Sequence, residues 1–182
     1  MRRAARARGF SAAELMVVLV VAALMLTLAL PDLRQLLSQL RLRVAAGELY
    51  GALELARAQA VARGAPVALV PLDGGGDWSR GWVVLLDRDG DLRPGSGDEV
   101  IAWHGPAPDG VAIRSAFSSH QQPDYFAYNG AGRGCSARST AAARWGTLSL
   151  QQGSVRRLII VNMLGRSRLC DPTRDAACGD AQ

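Results

Sequence analysis

The feature that most constrains this chain is an apolar run close to its start. From Leu15 to Leu30 every residue except Thr27 is apolar, and counting from Phe10 the stretch reaches 21 positions. That is about the ~20 residues an α-helix needs to cross the hydrocarbon core of a bilayer. Four arginines (Arg2, Arg3, Arg6 and Arg8) precede it, and by the positive-inside tendency they keep that flank cytoplasmic and place the rest of the chain outside. A secretory signal peptide would carry a shorter apolar core, ~7 to 15 residues, closed by a small-residue cleavage site. Here the run is longer and leads straight into further helical sequence. One acid, Glu14, stands at its edge. An isolated carboxylate facing lipid is costly, so its presence asks for a positively charged partner.

Beyond Pro31 the residues Leu33, Leu36, Leu37, Leu40 and Val44, then Leu49, Leu53, Ala56 and Ala60, recur at helical spacing, with most charged residues on other faces. Gly64 and Pro66 supply the stop. The pattern predicts one helix from Phe10 to about Arg63, kinked at Pro31. Its first half suits a membrane and its second half packs on a domain.

After Pro66 the periodicity changes to short runs bounded by Gly, Pro, Asp and Ser. "VALVPL", "GWVVLLD", "EVIAWH", "VAIRS", "YFAY", "GTLSLQ" and "RRLIIVN" read as strands without intervening helices. A long helix followed by such strands is an α+β order: an N-terminal helix packed on antiparallel β-sheets of a C-terminal globular domain. Residues 129–144, "NGAGRGCSARSTAAAR", are rich in small side chains and read as an irregular surface loop.

Charge is distributed unevenly. The chain has 21 Arg and no Lys against 16 acids, net +5; without the four leading arginines the balance is 17 to 16. Between Asp73 and Asp109 eight acids face three arginines, whereas between Phe126 and Leu169 there are seven arginines and no acid. A basic C-terminal region therefore sits inside a nearly neutral chain.

Candidate chemistry is sparse. "DRDGD", Asp87 to Asp91, alternates acids as a calcium loop does, but Leu92 and Asp98 stand where the EF-hand template wants Gly and Glu, so a turn with solvated acids is expected and no metal site. His104 and His120 lack partners at catalytic or metal spacing, and no cofactor or enzymatic activity is expected. Three cysteines in an oxidising compartment make one pair and one leftover. Cys170 with Cys178 is favoured, and Cys135 with Cys170 remains open. In "VRRLIIVNMLGRSRLCDPT", Val155 to Asn162 reads as a strand, "NMLG" as its turn, and "RSRL" as a short final strand or extended tail. Alternation puts Arg166 and Arg168 on one side, and Gly165 lets the backbone come close, which suits two guanidiniums to phosphate oxygens.

"RGFSAAELMVVLVVAALML" resembles the N-terminal motif of type IV pilins and pseudopilins. The resemblance implies a leader, residues 1–9, cut after Gly9 by a prepilin peptidase that methylates the new N-terminal Phe10. It implies that Glu14, fifth in the mature chain, pairs with the N-terminal amine of a neighbouring subunit. Residues 10–31 become the transmembrane and filament-core helix, 32–64 its amphipathic second half, and 65–182 the β-rich domain. "GRSR", with "WSRGWVVLLDRDGD" and "GTLSLQQGSVRRLIIV", is similar to the FimT/GspH family, in which a FimT-type GRxR motif binds DNA in natural transformation. Carried over, Gly165 shapes the turn and Arg166 and Arg168 contact DNA. Charge alone adds Arg133, Arg138, Arg144, Arg156 and Arg157. The expected partners are DNA, other major and minor pilins, the peptidase, and the inner membrane before assembly into a surface pilus. The alternative within the family is a structural type II secretion pseudopilin, or an assembly-priming minor pilin without DNA binding.

Overall fold

The computed structural model describes residues 11–119 and 124–178, apart from the side chains of 26–32, 34 and 176. Gly9, Phe10 and His120 lie outside the described residues. The chain forms two compact units, Met1–Leu37 and Ser38–Gln182. A single helix, α1 (Ala12–Arg63), is continuous in sequence across Pro31.

In the first unit the helix opens with a capping box. The Ser11 hydroxyl accepts from the Glu14 backbone N–H at 3.2 Å, and the Glu14 carboxylate accepts from the Ser11 backbone N–H at 3.3 Å. Two backbone donors that a helix start leaves without partners are thus satisfied, and Glu14 has a role inside its own chain. Leu15 to Val21, Leu24 and Met25 are exposed. Among the described residues no helix is long and apolar enough to cross a membrane; the apolar run of the sequence continues into residues 26–32, whose side chains are outside the description.

The second unit is built on the other half of α1. Ten strands follow: β1 (Val67–Pro71), β2 (Trp82–Leu86), β3 (Glu99–His104), β4 (Ala112–Phe117), β5 (Phe126–Tyr128), β6 (Gly134–Ser136), β7 (Ser139–Ala143), β8 (Gly146–Gln152), β9 (Val155–Val161) and β10 (Ser167–Cys170). They make a six-stranded sheet ordered β3-β2-β1-β5-β6-β7 and a four-stranded sheet ordered β10-β9-β8-β4, with every pair antiparallel. The architecture is α+β, as the order of periodicities predicts.

Both sheets turn one face to the helix. Leu42, Ala45, Ala46, Leu49, Leu53, Ala56 and Ala60 are fully buried and form one cluster with Leu69 and Val84 of the larger sheet and Ile113, Leu148, Ile159 and Val161 of the smaller. Small alanines at three or four residue spacing bring the helix close to both sheets. The expected stripe is corrected in its first part. Leu33, Leu36, Leu37, Leu40 and Val44 are 43 to 55% exposed, and the buried face begins at Leu42.

Residues 129–144 are not a loop, which corrects the reading of small-residue composition as irregular. They hold β6 and β7. Gly134 is needed where β6 runs beside Arg144: a Cβ there would meet the Arg144 carbonyl and, at 2.9 Å, the Phe126 ring. Cys135 is buried in the cluster on the far face of the larger sheet, and burial pushes its thiol up to about 11. It is the free cysteine, because Cys170 and Cys178 form the disulfide.

Arg144, proposed on charge as a DNA contact, is buried and serves the fold instead. Its guanidinium lies 4.2 Å from the Tyr125 ring centre and 5.0 Å from that of Phe117. It donates to the Ser119 hydroxyl at 2.6 Å and faces Asp124 at 3.5 Å. Burial pulls its pKa down, against Tyr125 and Asp124, which raise it. Asp124 also accepts from the Trp78 indole at 3.0 Å and from the Ser115 hydroxyl. Removing one member of such a set leaves an uncompensated buried charge. Asp124→Ala should lower stability by about 3 kcal/mol, read as a lower denaturant midpoint at unchanged slope.

Candidate nucleic-acid interface

The segment that joins β9 to β10 is a turn built by one side chain. The Asn162 side-chain oxygen accepts from the Leu164 and Arg166 amides, both at 3.0 Å. The Asn162 amide donates to the Arg166 carbonyl at 3.0 Å, and the Gly165 amide donates to the Asn162 carbonyl at 2.9 Å. Asparagine favours such local bonds to the following backbone. Gly165 has φ +76°, a conformation that side-chain-bearing residues adopt only at a cost. It also lacks room: a Cβ would run into the Gly132 carbonyl and sit 3.1 Å from the Tyr128 ring.

That turn is fastened to the helix beneath it. The Ser167 hydroxyl donates to Glu54, and Arg57 Nε donates to the Gly132 carbonyl at 3.0 Å. Arg166 leaves this frame exposed, and among the described residues no acid pairs with it. Arg168 is exposed on β10, where its Nη2 donates to the Ala177 carbonyl at 2.9 Å. The Cys170–Cys178 disulfide closes the loop that holds Ala177, so the Arg168 guanidinium is steadied by a covalently pinned carbonyl.

The other arginines divide. Arg133 and Arg138 are exposed. Arg156 is exposed and donates to the Ser149 hydroxyl at 2.9 Å. Arg157 is corrected: its side chain is only 13% exposed and pairs with Asp171 at 2.9 Å, which removes it from the candidate contacts. Asp171 is held below the usual carboxylate range by the Thr173 hydroxyl, with Arg157 and Arg174 assisting. Arg114 was not singled out from the sequence. Register places it opposite Ser149, and Ser149 opposite Leu158. Alternation then puts Arg114, Arg156 and Arg168 on the sheet face turned away from α1. The signal was present in "VAIRS", where Ile113 is buried and its neighbours point outward.

Two further groups lie elsewhere. Asp87, Asp89, Asp91 and Asp98 bring oxygens within 4.8 Å of one another. Their carboxylates accept from backbone amides of the same turn, including Gly90, Leu92 and Arg93. His104 pairs with Glu48 at 3.1 Å and stacks on Trp82 with ring centres 4.3 Å apart.

This geometry can be set beside known proteins. Residues 45–165 match the family described as type II transport protein GspH. The chain belongs to the GspH family. No curated protein matches it. Among solved structures, the type IV minor pilin FimU of Pseudomonas aeruginosa PAO1 is similar in two crystal forms. One has 18% identity over 72% of this chain and 94% of that chain with a TM-score of 0.52; the other has 19% over 72% and 90% with 0.53. The minor pseudopilin EpsH of the Vibrio cholerae type 2 secretion system has 16% identity over 71% and 96%, with a TM-score of 0.49. The FimU likeness establishes the fold, and the chain is a minor pilin or pseudopilin of the GspH family.

Within this GspH-family fold the Gly165 requirement has a measurable cost. Gly165→Ala should destabilise by about 2 to 4 kcal/mol, combining left-handed strain with the clash. Gly153→Ala, at φ +57° with open space around it, should cost only about 1 to 2 kcal/mol. Chemical denaturation of the two variants separates the contributions; equal losses would show that close approach to Gly132 is unimportant.

Proposed function

We propose that this chain is a minor type IV pilin that captures DNA through backbone phosphates, for uptake in natural transformation. The observation that carries the reading is the Gly165-Arg166-Ser167-Arg168 motif on a braced turn, with both arginines exposed, in a stretch from Phe126 to Leu169 that contains no acid. Exposed guanidiniums fork onto phosphate oxygens. Among the described residues no helix or finger is offered to base edges beside the motif, so recognition is of the backbone and independent of sequence.

The reading includes the start of the chain. A prepilin peptidase cuts after Gly9 and methylates Phe10, residues 10–31 hold the protein in the inner membrane with its domain in the periplasm, and assembly carries it into a surface pilus. Release of residues 1–9 leaves Ser11 and Glu14 in the first helical turn. Glu14 then exchanges part of its capping role for the amine of a neighbouring subunit.

A second reading is favoured by the family description itself: a pseudopilin of a type II secretion system, whose domain meets other pseudopilins or exported protein. The two differ on the arginines. In an electrophoretic mobility shift with double-stranded DNA, the full chain in mild detergent should retard the DNA at low salt, and Arg166→Ala/Arg168→Ala should lose the shift while keeping its circular dichroism. A folded double mutant that binds as well as wild type, or a wild type that shows no shift, moves the pseudopilin reading to the front.

A further inference from the structure

Two turns of the second unit share one sequence pattern and one set of hydrogen bonds. Asn129-Gly130-Ala131-Gly132-Arg133 joins β5 to β6, and Asn162-Met163-Leu164-Gly165-Arg166 joins β9 to β10. In each the asparagine amide donates to the arginine carbonyl, at 3.0 Å in both, and the glycine amide donates to the asparagine carbonyl, at 2.8 and 2.9 Å. In each the asparagine side-chain oxygen accepts from the amide two residues on, at 3.0 Å in both, and from the arginine amide, at 3.1 and 3.0 Å. The glycines have φ +71° and +76°. The pattern Asn-x-x-Gly-Arg therefore builds the same object twice, once in each sheet.

The two copies touch. A Cβ on Gly165 would run into the Gly132 carbonyl, and Gly132 in turn leaves only 2.9 Å for a Cβ against the Val61 side chain of α1. Because the asparagines satisfy the turn amides internally, both arginines leave from braced backbone at equivalent points. Arg133 and Arg166 are exposed, and among the described residues neither side chain meets an acid. Arg57, tied to the Gly132 carbonyl, adds positive charge at the junction, while the nearby Glu54 is engaged by Ser167.

We infer that the twin turns form one composite phosphate-binding site in which Arg133 is the counterpart of Arg166 on the other sheet. This rests on the DNA reading above and adds to it. The strand is held between the two sheets, at Arg133 and Arg166, as well as along β10. Met163 and Leu164 are about half exposed at the tip of one turn, where Gly130 and Ala131 occupy the other, so the shared element is the arginine and not the apolar tip.

The test is fluorescence anisotropy of a labelled DNA duplex titrated with the full chain in mild detergent, across a salt series. Arg133→Ala should weaken binding by the same factor as Arg166→Ala, on the order of three- to tenfold, and each should reduce the salt slope by about 0.9. Arg93→Ala, at an exposed arginine that is neither in a twin turn nor among the candidate contacts, should stay close to wild type. If Arg133→Ala keeps wild-type affinity and slope while Arg166→Ala loses them, the pairing is wrong and the DNA reading stands. Equal losses in Arg133→Ala and Arg93→Ala also overturn the pairing, because general charge then explains both. A wild type without salt-sensitive binding overturns the pairing and the DNA reading together.

Discussion

Where Gly132 meets Gly165, the six-stranded and four-stranded sheets come into backbone contact, and neither position has room for a Cβ. A side chain at Gly165 would push the two turns apart, and one at Gly132 would press on Val61 and Arg57 of α1. The contact fixes three things at once. It sets the turn from which Arg166 departs, it carries Arg57 and Val61 of the helix against Gly132, and it gives the Tyr128 ring its neighbour. Glycine is needed for the left-handed backbone as well as for space, so two independent constraints select it.

Burial sorts the arginines more sharply than charge does. The seven between Phe126 and Leu169 look alike in the sequence, yet Arg144 lies between aromatic rings beside Asp124 and Arg157 is closed by Asp171. Both acids come from outside that stretch, which is why a local count of charges misassigns them. What remains exposed is a smaller set: Arg133, Arg138, Arg156, Arg166 and Arg168, joined by Arg114 on the same sheet face as Arg156 and Arg168. The Cys170–Cys178 loop lies over Leu158 and Ile160 on that face and supplies the carbonyl that steadies Arg168. A disulfide at the end of the chain thereby contributes to the shape of the basic surface.

Much of this fold was legible in the sequence because its elements carry periodicity. The second half of α1 shows its core face at Leu49, Leu53, Ala56 and Ala60, and the seven apolar strands alternate or run apolar between turn residues. β6 and β7 were not legible. β6 is three residues long, and every residue of β7 is exposed, so neither has an apolar alternation to detect. Leu40 and Leu42 are alike in hydropathy, and only the position of the sheets decides that the second is buried. The GRSR motif could be found by its residues, but the burial of Arg144 and Arg157 could not. The repeated Asn-x-x-Gly-Arg pattern was in plain view. Five residues with two variable positions carry little weight until the hydrogen bonds are seen to match.

Recognition through phosphate charge, as proposed, is tested most directly by salt. The measurement is the affinity of the full-length wild-type protein for a DNA duplex as salt is raised stepwise. If Arg133, Arg156, Arg166 and Arg168 neutralise about four phosphates, log affinity should fall linearly with log salt at a slope of about −3.6, with the same slope for unrelated sequences. A flat dependence, or binding confined to one sequence, would contradict it.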